Sequence, residues 1–254
     1  MVNWIGIYTM IRREVERTMR VVVQTLISPV MSAALYIFIF GHVIGTKIDT
    51  IVGVPYITFV FPGILMLSVI NAAFASSSSS LYFARFMRSI DEILVSPFSY
   101  IEMIFGFMLG SMMRAVMVAV LIMIVGVLFD AVTLIHPVAF FFYIIAVAGI
   151  FSLLGILVAL WAKGFEQLSA LNTFVITPFT YLGGIFYSVT MLPPLAQTIT
   201  YANPFFYFVD GLRSSMIGVS EANTVVGLFV ILGLLFLLTA LTVYLFQIGW
   251  RIRA

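Results

Sequence analysis

The stretch TFVITPFTYLGGIFYSVTMLPPLAQTITYANPFFYFVDGLR, Thr173–Arg213, decides how this chain is read. It opens as an apolar helix fit for a bilayer, is expected to be interrupted at Pro178 and the Gly183-Gly184 pair, and stays apolar beyond them. Pro193-Pro194 and Asn203-Pro204 then divide the remainder into two short aromatic segments, Leu195–Ala202 and Phe205–Leu212. Each is too short to cross a bilayer, which takes about 20 apolar residues in a helix. Each is also too apolar for a solvated loop. Two short helices that enter the membrane and return satisfy both constraints, because broken backbone at membrane depth persists only where protein or a water-filled cavity covers it. On the outer face, the segment Leu192–Arg213 is expected to act as a gate or plug, with Pro193, Pro194, Asn203, Pro204 and Arg213 as its marked residues.

Composition fixes the class. Of 254 residues, 63% are hydrophobic and only 9% are charged, with a mean hydropathy of +1.20. A soluble domain carries roughly 25% charged residues. The expectation is an all-α integral membrane protein forming a single domain over residues 1–254, with no separate soluble domain. The net charge of +2 says little by itself, and the absence of cysteine excludes disulfides and thiolate metal sites. Arginines at 12 to 20 precede an apolar run that starts only at Val21, so the first span is expected to be retained as an uncleaved anchor.

Upstream of that span, Trp4, Ile5, Tyr8, Ile11 and Val15 recur at helical spacing, while Arg12, Arg13, Glu16 and Arg20 lie mostly elsewhere. Residues 1–20 are expected to form a helix in the interface plane, its cations toward anionic headgroups. It serves either as a surface anchor or as a docking surface for a partner.

Hydropathy predicts six spans, at about Val21–Ile44, Ile57–Ser80, Ile104–Phe129, Val138–Trp161, Leu168–Tyr187 and Val225–Ile248. With a cytoplasmic N-terminus, Arg12, Arg13, Arg17, Arg20, Arg85, Arg88, Lys163, Arg251 and Arg253 fall inside. Only Lys47 and Arg213 fall outside, and Arg114 lies within the third span. That asymmetry puts both termini in the cytoplasm by the positive-inside rule.

The inner loop around residues 84–100, RFMRSIDEILVSPFSYIE from Arg85 to Glu102, holds Arg85, Arg88, Asp91 and Glu92 before Pro97 as a helix stop. It is either a short amphipathic helix, with Ile90, Ile93 and Leu94 on one side, or a solvated turn. Gly106 and Gly110 form a GxxxG on the third span; Ala72, Ala73, Ala75 and Ser76 to Ser80 give the second a slim face. Both are marks of close helix packing. The serine run can bond its own carbonyls and face a partner.

Ion-coupled carriers place ionisable residues at the midplane, and here Glu102, Asp130, Glu166, Asp210 and Glu221 all sit at span ends or in loops. Arg114 is the exception. Such a residue earns a functional hypothesis by default, as part of a translocation path, against a structural role bonding carbonyls or a neighbouring subunit. Phe179, Tyr181, Phe186 and Tyr187 are the other candidates for that path, and packing is the competing role for each.

Catalysis finds no support. His42 and His136 lie far apart without an HExxH pairing, and no Gly-x-Ser-x-Gly elbow occurs. A P-loop needs Gly-Lys followed by Ser or Thr, but Lys47 and Lys163 follow Thr46 and Ala162. No catalytic residue, metal site or cofactor is therefore expected in this chain, and nothing points to nucleic acid.

The order of elements, the cytoplasmic DEILVSP and the final GGIFYS…LPP…NPFFYFVDGLR together resemble the membrane subunits of ABC-2-type exporters, which include polysaccharide, nodulation-factor and drug-efflux permeases. The resemblance covers nearly the whole chain. It implies a permease of the bacterial-type inner membrane that pairs with a second permease, an identical copy being favoured over a different one. Two ABC ATPase subunits would bring ATP and Mg. The N-terminal helix with Arg12 and Arg13, and the loop with Arg85, Arg88, Asp91 and Glu92, would dock on that ATPase. Ser89-Ile90 depart from the Gly-Thr pair of many members, whereas Asp91-Glu92 followed by Ser96-Pro97 match. The cargo would be lipid-linked, polysaccharide or amphipathic and drug-like. A stand-alone channel or ion-coupled carrier is the alternative, and a membrane scaffold a third.

Overall fold

The computed structural model describes residues 3–45, 50–96 and 98–252. Lys47, Pro97 and Arg253, which entered the charge and helix-stop arguments, lie outside the described residues, as does the side chain of His42.

Helix α1 covers Trp4–Arg20, capped by Asn3, whose side chain accepts from the Gly6 amide. The next helical unit starts with a π-helical turn at Val23–Ile27, continues as α2, Ser28–Phe38, and ends in a second π-helical turn, Ile39–Ile44. A two-residue antiparallel hairpin, β1 Thr50–Ile51 and β2 Val54–Pro55, leads into α3, Tyr56–Phe86. Then come α4, Ser89–Val95; α5, Tyr100–Leu128; and α6, Pro137–Trp161.

The expected fifth span differs from expectation in extent and form. It runs as α7, Phe165–Leu171, a π-helical turn Asn172–Ile176, and α8, Thr177–Tyr181, three continuous pieces of seven, five and five residues. That is roughly 25 Å of helix at 1.5 Å per residue, short of a hydrocarbon core about 30 Å thick. Two residues after each of the turns at 23–27 and 172–176 stands a proline, Pro29 and Pro178. Proline gives no N–H to the carbonyl four residues back, and a wider turn is one way to absorb that lesion without ending the helix. Pro178 therefore widens the helix, and the turn at Leu182–Gly184 ends it.

Among the described residues five helices are long and apolar enough to cross a membrane: Val23–Gly41, Tyr56–Phe86, Tyr100–Leu128, Pro137–Trp161 and Thr224–Gln247. The last is α11, after α9, Pro194–Ala202, and α10, Pro204–Ile217.

Helix α3 is the axis of the fold, buried along most of its 31 residues, and α6 packs against it most extensively. Small residues allow the approach. A Cβ on Gly155 of α6 would stand 2.8 Å from the Phe74 carbonyl oxygen and closer still to Ser77 Oγ, so only glycine fits there. With lipid outside, such van der Waals fit replaces the hydrophobic drive between helices. Ser77 and Ser79 donate back to the carbonyls of Phe74 and Ala75, as expected of the serine run.

Helix α3 spans roughly 46 Å, longer than the hydrocarbon core. It therefore carries Leu81–Phe86 past the expected span end. By contrast, α11 exposes Val225, Phe229, Leu232, Phe236 and Leu237, a face suited to lipid.

Candidate functional site

Two sites stand at opposite ends of the bundle. The first gathers the C-terminal ends of α3, α6 and α11 with the N-terminal end of α5, and α1 lies across it. The face that α1 buries is Ile7, Met10, Glu14 and Thr18, not the Trp4, Ile5 and Tyr8 edge, which is exposed; Ile11 and Val15 are half-buried. The glycine pair of α5 explains the choice. Met10 seats on Gly106 and Glu14 on Gly110, where a Cβ would meet Glu14 Cγ at 2.6 Å. The partner of the GxxxG is thus the N-terminal helix, matched by a four-residue spacing on each side.

Glu14 is a buried carboxylate that sequence reasoning missed. It accepts from Ser80 Oγ at 2.5 Å, and its Oε2 lies 2.9 Å from Arg17 Nη2. Arg17 also donates to the Ser76 carbonyl at 3.1 Å. Burial pushes the Arg17 guanidinium below its usual value, and Glu14 opposes that shift. Arg114 stands one turn after Gly110, on the same face of α5, and its Nε is buried without a hydrogen-bond partner. Gly110 faces Glu14, so Arg114 lies on the side of α5 that bears α1, and no contact joins it to Phe179, Tyr181, Phe186 or Tyr187 among the described residues.

Beside α1 lies α4. Arg88 takes a left-handed conformation, φ 57°, between α3 and α4. Ile90 is buried, with Ile93 and Leu94 packed beside it, while Arg88, Asp91 and Glu92 are exposed. Gly6, Thr9, Met10 and Arg13 of α1 face Glu92, Ile93, Ser96 and Phe98 across a cavity of about 330 Å3. Arg12 is exposed and pairs with Glu16 at 2.8 Å; Arg13 sits over the Phe107 ring. Arg85 behaves differently from its expected companions. It is buried at 8% exposure and donates to the carbonyls of Ala159 and Leu160, at 2.5 and 3.3 Å, at the end of α6.

The second site is at the other end and is built around Arg213, expected as an outer charge and found fully buried. Its Nε donates to the Phe59 carbonyl at 3.3 Å, and its Nη2 to the Gly184 carbonyl at 2.6 Å. The guanidinium carbon lies 3.9 Å from the centre of the Phe59 ring, and Nη1 is 3.8 Å from Glu221 Oε2. Ser188 Oγ donates to Glu221 Oε1, and the Val189 amide donates to its Oε2 at 3.3 Å. Asp210 accepts from Ser220 Oγ at 2.8 Å and from the amides of Glu221 and Ala222 at 2.9 and 3.1 Å, which fixes the loop that carries Glu221. A planar fork of donors over a ring suits arginine and not lysine. A buried guanidinium needs this many partners, since an unpaired buried charge is heavily penalised.

Local sequence builds the rest of this site. Gly184 has φ 78°, a conformation that favours glycine. At Gly183 a Cβ would stand 3.1 Å from the backbone carbon of Phe205. Asn203 caps α10 by accepting from the Phe205 amide at 3.1 Å and also donates to the Phe179 carbonyl at 2.7 Å. Pro194 and Pro204 both stand at helix starts, where proline loses nothing. The two short helices differ sharply: α10 is largely buried and runs five residues beyond the expected Leu212, while most of α9 is exposed.

Phe186 stacks on Phe40 with centroids 4.5 Å apart and lies near Tyr181 at 5.8 Å. Phe179 meets Phe205 at 5.9 Å, and the Tyr187 hydroxyl donates to the Leu182 carbonyl. These aromatics pack around the turn at residues 182–184. Among the described residues no group of His, Asp and Glu is arranged to hold a metal ion.

Membrane-length apolar helices, an amphipathic helix pair at one end and a broken, partly buried helix pair at the other define a multi-pass integral membrane protein. Residues 6–217 match the family described as ABC-2 type transporter. The chain is 37% identical over 222 residues to the inner membrane transport permease YadH of Escherichia coli K12, covering 87% of each chain. It is 26% identical over 228 residues to nodulation protein J of Neorhizobium galegae, covering 86% of this chain and 82% of that one. Nodulation protein J of Rhizobium meliloti is 24% identical over 221 residues, covering 85% and 82%. The chain belongs to the ABC-2 type transporter family.

Proposed function

We propose that this chain is the permease subunit of an ATP-driven exporter of the inner membrane, working as two copies with two ABC ATPase subunits. Its six spans include the helix Phe165–Tyr181, and both termini face the cytoplasm. The ATPases bind ATP and Mg, and the cargo is lipid-linked, polysaccharide or amphipathic and drug-like.

The observation that carries this reading is the pairing of α1 and α4 at one end of the bundle. Arg12, Arg13, Arg88, Asp91 and Glu92 form an exposed mixed-charge surface on two helices whose apolar sides are packed into the spans. A surface so charged yet so firmly seated suits a soluble partner whose movement must reach the spans. Arg85 leaves this set, because it is turned inward to α6. At the far end, α9 is attached mainly through its junctions and α10 is embedded. In this scheme α9 is the moving part of the outer gate and α10 its seat.

The chain has no cysteine, so single-cysteine variants at Arg12 and Glu92 report contacts cleanly. Both are expected to crosslink to the ATPase subunit, with yields that change on ATP binding. Cysteines at Leu195 or Ile199 of α9 are expected not to. Crosslinking from α9 and none from Glu92 would invert the topology and end this reading.

A further inference from the structure

A second cavity, of about 340 Å3, opens at the same end of the bundle as the first site, between the ends of α3, α6 and α11, on residues that the exposed α1–α4 surface does not use. It is lined by Tyr82, Arg85 and Phe86, by Trp161 and Lys163, and by Arg251. Three cations therefore share one cavity. Among the described residues no carboxylate lies within ion-pair distance of any of them.

Part of the positive charge has a structural purpose. Arg85 donates to the Ala159 and Leu160 carbonyls, and Arg251 to the Trp161 carbonyl at 3.1 Å, so both cap the C-terminus of α6. A helix C-terminus offers only about half a negative charge, which leaves more than two positive charges uncompensated. Arg85 is more than nine-tenths buried, and its Nε is buried without a hydrogen-bond partner. The walls are aromatic: Tyr82 stacks with Phe86 at 6.2 Å, and Phe86 and Trp161 are exposed. Amphipathic rings such as Tyr82 and Trp161 favour headgroup depth.

We propose that this cavity binds the phosphate group of an anionic phospholipid, with Arg85, Lys163 and Arg251 around the phosphate and Trp161, Phe86 and Tyr82 against the glycerol and upper acyl chain. Guanidinium groups suit phosphate oxygens by geometry as well as charge. Basic pockets between membrane helices are a recurrent form of lipid headgroup site. A volume near 340 Å3 is in the range of small-molecule sites. The ligand here is a bilayer component held at the end of three helices, independent of the cargo and of the ATPase.

The test titrates dioctanoyl phosphatidylglycerol and dioctanoyl phosphatidylcholine onto the detergent-purified full chain, with native mass spectrometry as the readout. The anionic lipid should bind saturably and the zwitterionic one far more weakly. The double variant Lys163→Ala/Arg251→Ala should lose about 30-fold in affinity, at roughly 1 kcal/mol per cation removed. Lys163→Arg, whose side chain keeps the charge, should bind as the parent does, and a thermal melt of each variant excludes unfolding as the cause. Equal binding of both lipids, or unchanged affinity in a folded double variant, would overturn the proposal. Displacement of the lipid by millimolar inorganic phosphate would overturn the lipid assignment and make this a site for a free anion.

Discussion

Ser80 and Glu14, 66 residues apart in sequence, meet through a 2.5 Å hydrogen bond that joins the N-terminal helix to the centre of the bundle. The last serine of the run on α3 donates, and the carboxylate it reaches is almost fully buried. Arg17 closes the pair from the solvent side. This contact makes α1 part of the spanning bundle: whatever pushes α1 also pushes α3 and α5.

Breaking it should be costly. Glu14→Ala leaves Arg17 without its carboxylate, and removing one partner of a buried pair costs about 3–5 kcal/mol. Because Arg17 is one-third exposed, the lower end of that range is expected. Ser80→Ala should lose about 1.5–3 kcal/mol, the range for a hydrogen bond to a charge. Thermal or denaturant melts of the purified chain, run as a double-mutant cycle, should give strong coupling between the two positions. Additive losses would show that they do not act together.

Gly110→Ala tests the seat itself. The new methyl would overlap Glu14 Cγ and Cβ, and overpacking of this kind costs about 1–3 kcal/mol. Protease sensitivity near the N-terminus should rise more than global melting falls, because α1 is lifted while the spans stay packed. An unchanged digestion pattern would argue that α1 sits elsewhere.

Arg213→Lys removes the fork that spans the carbonyls of Phe59 and Gly184 while keeping the charge. Lysine cannot reproduce those bonds, so a loss of about 3–5 kcal/mol and a severe fall in transport are expected, comparable with removal of a buried charge partner. Glu221→Gln retains hydrogen bonding to Ser188 and should be milder. Equal stability of Arg213→Lys and the parent would contradict the role given to the guanidinium.

Asp91→Ala/Glu92→Ala should cut export at least tenfold while leaving membrane insertion and the melting temperature within error, since both side chains are exposed. Full export in vesicles from this variant would remove the docking role from α4. Pro193→Ala/Pro194→Ala, by contrast, should change leak or export without weakening ATPase association, because those residues start the exposed helix α9.

Much of this architecture was legible in the sequence because it is local. Hydropathy located the long apolar helices, and Pro193-Pro194 and Asn203-Pro204 located the starts of α9 and α10, since proline and an Asn cap act on their own backbone. The Ile90–Leu94 stripe likewise marked the packed side of α4. What escaped was long-range pairing. Periodicity picked out the Trp4, Ile5, Tyr8, Ile11 and Val15 edge and passed over Glu14, which a glycine on α5 and a serine on α3 hold inward. Arg213 counted as an outer charge, but its partners are backbone carbonyls as far as 154 residues away, which no sequence pattern announces. Arg85 was misplaced for the same reason. Pro178 was expected to interrupt its helix, and the π-helical turn before it keeps the helix continuous instead.

The central claim is that an ATPase works through this chain, and one purification tests it most directly. The full chain is extracted from its native membrane in mild detergent, and the proteins that stay with it are identified and assayed. The account predicts a P-loop ATPase at one copy per permease, with ATP hydrolysis that requires the complex and falls in Asp91→Ala/Glu92→Ala. A stable assembly that carries no nucleotide-binding partner in several detergents, and transports by itself in vesicles, would contradict it.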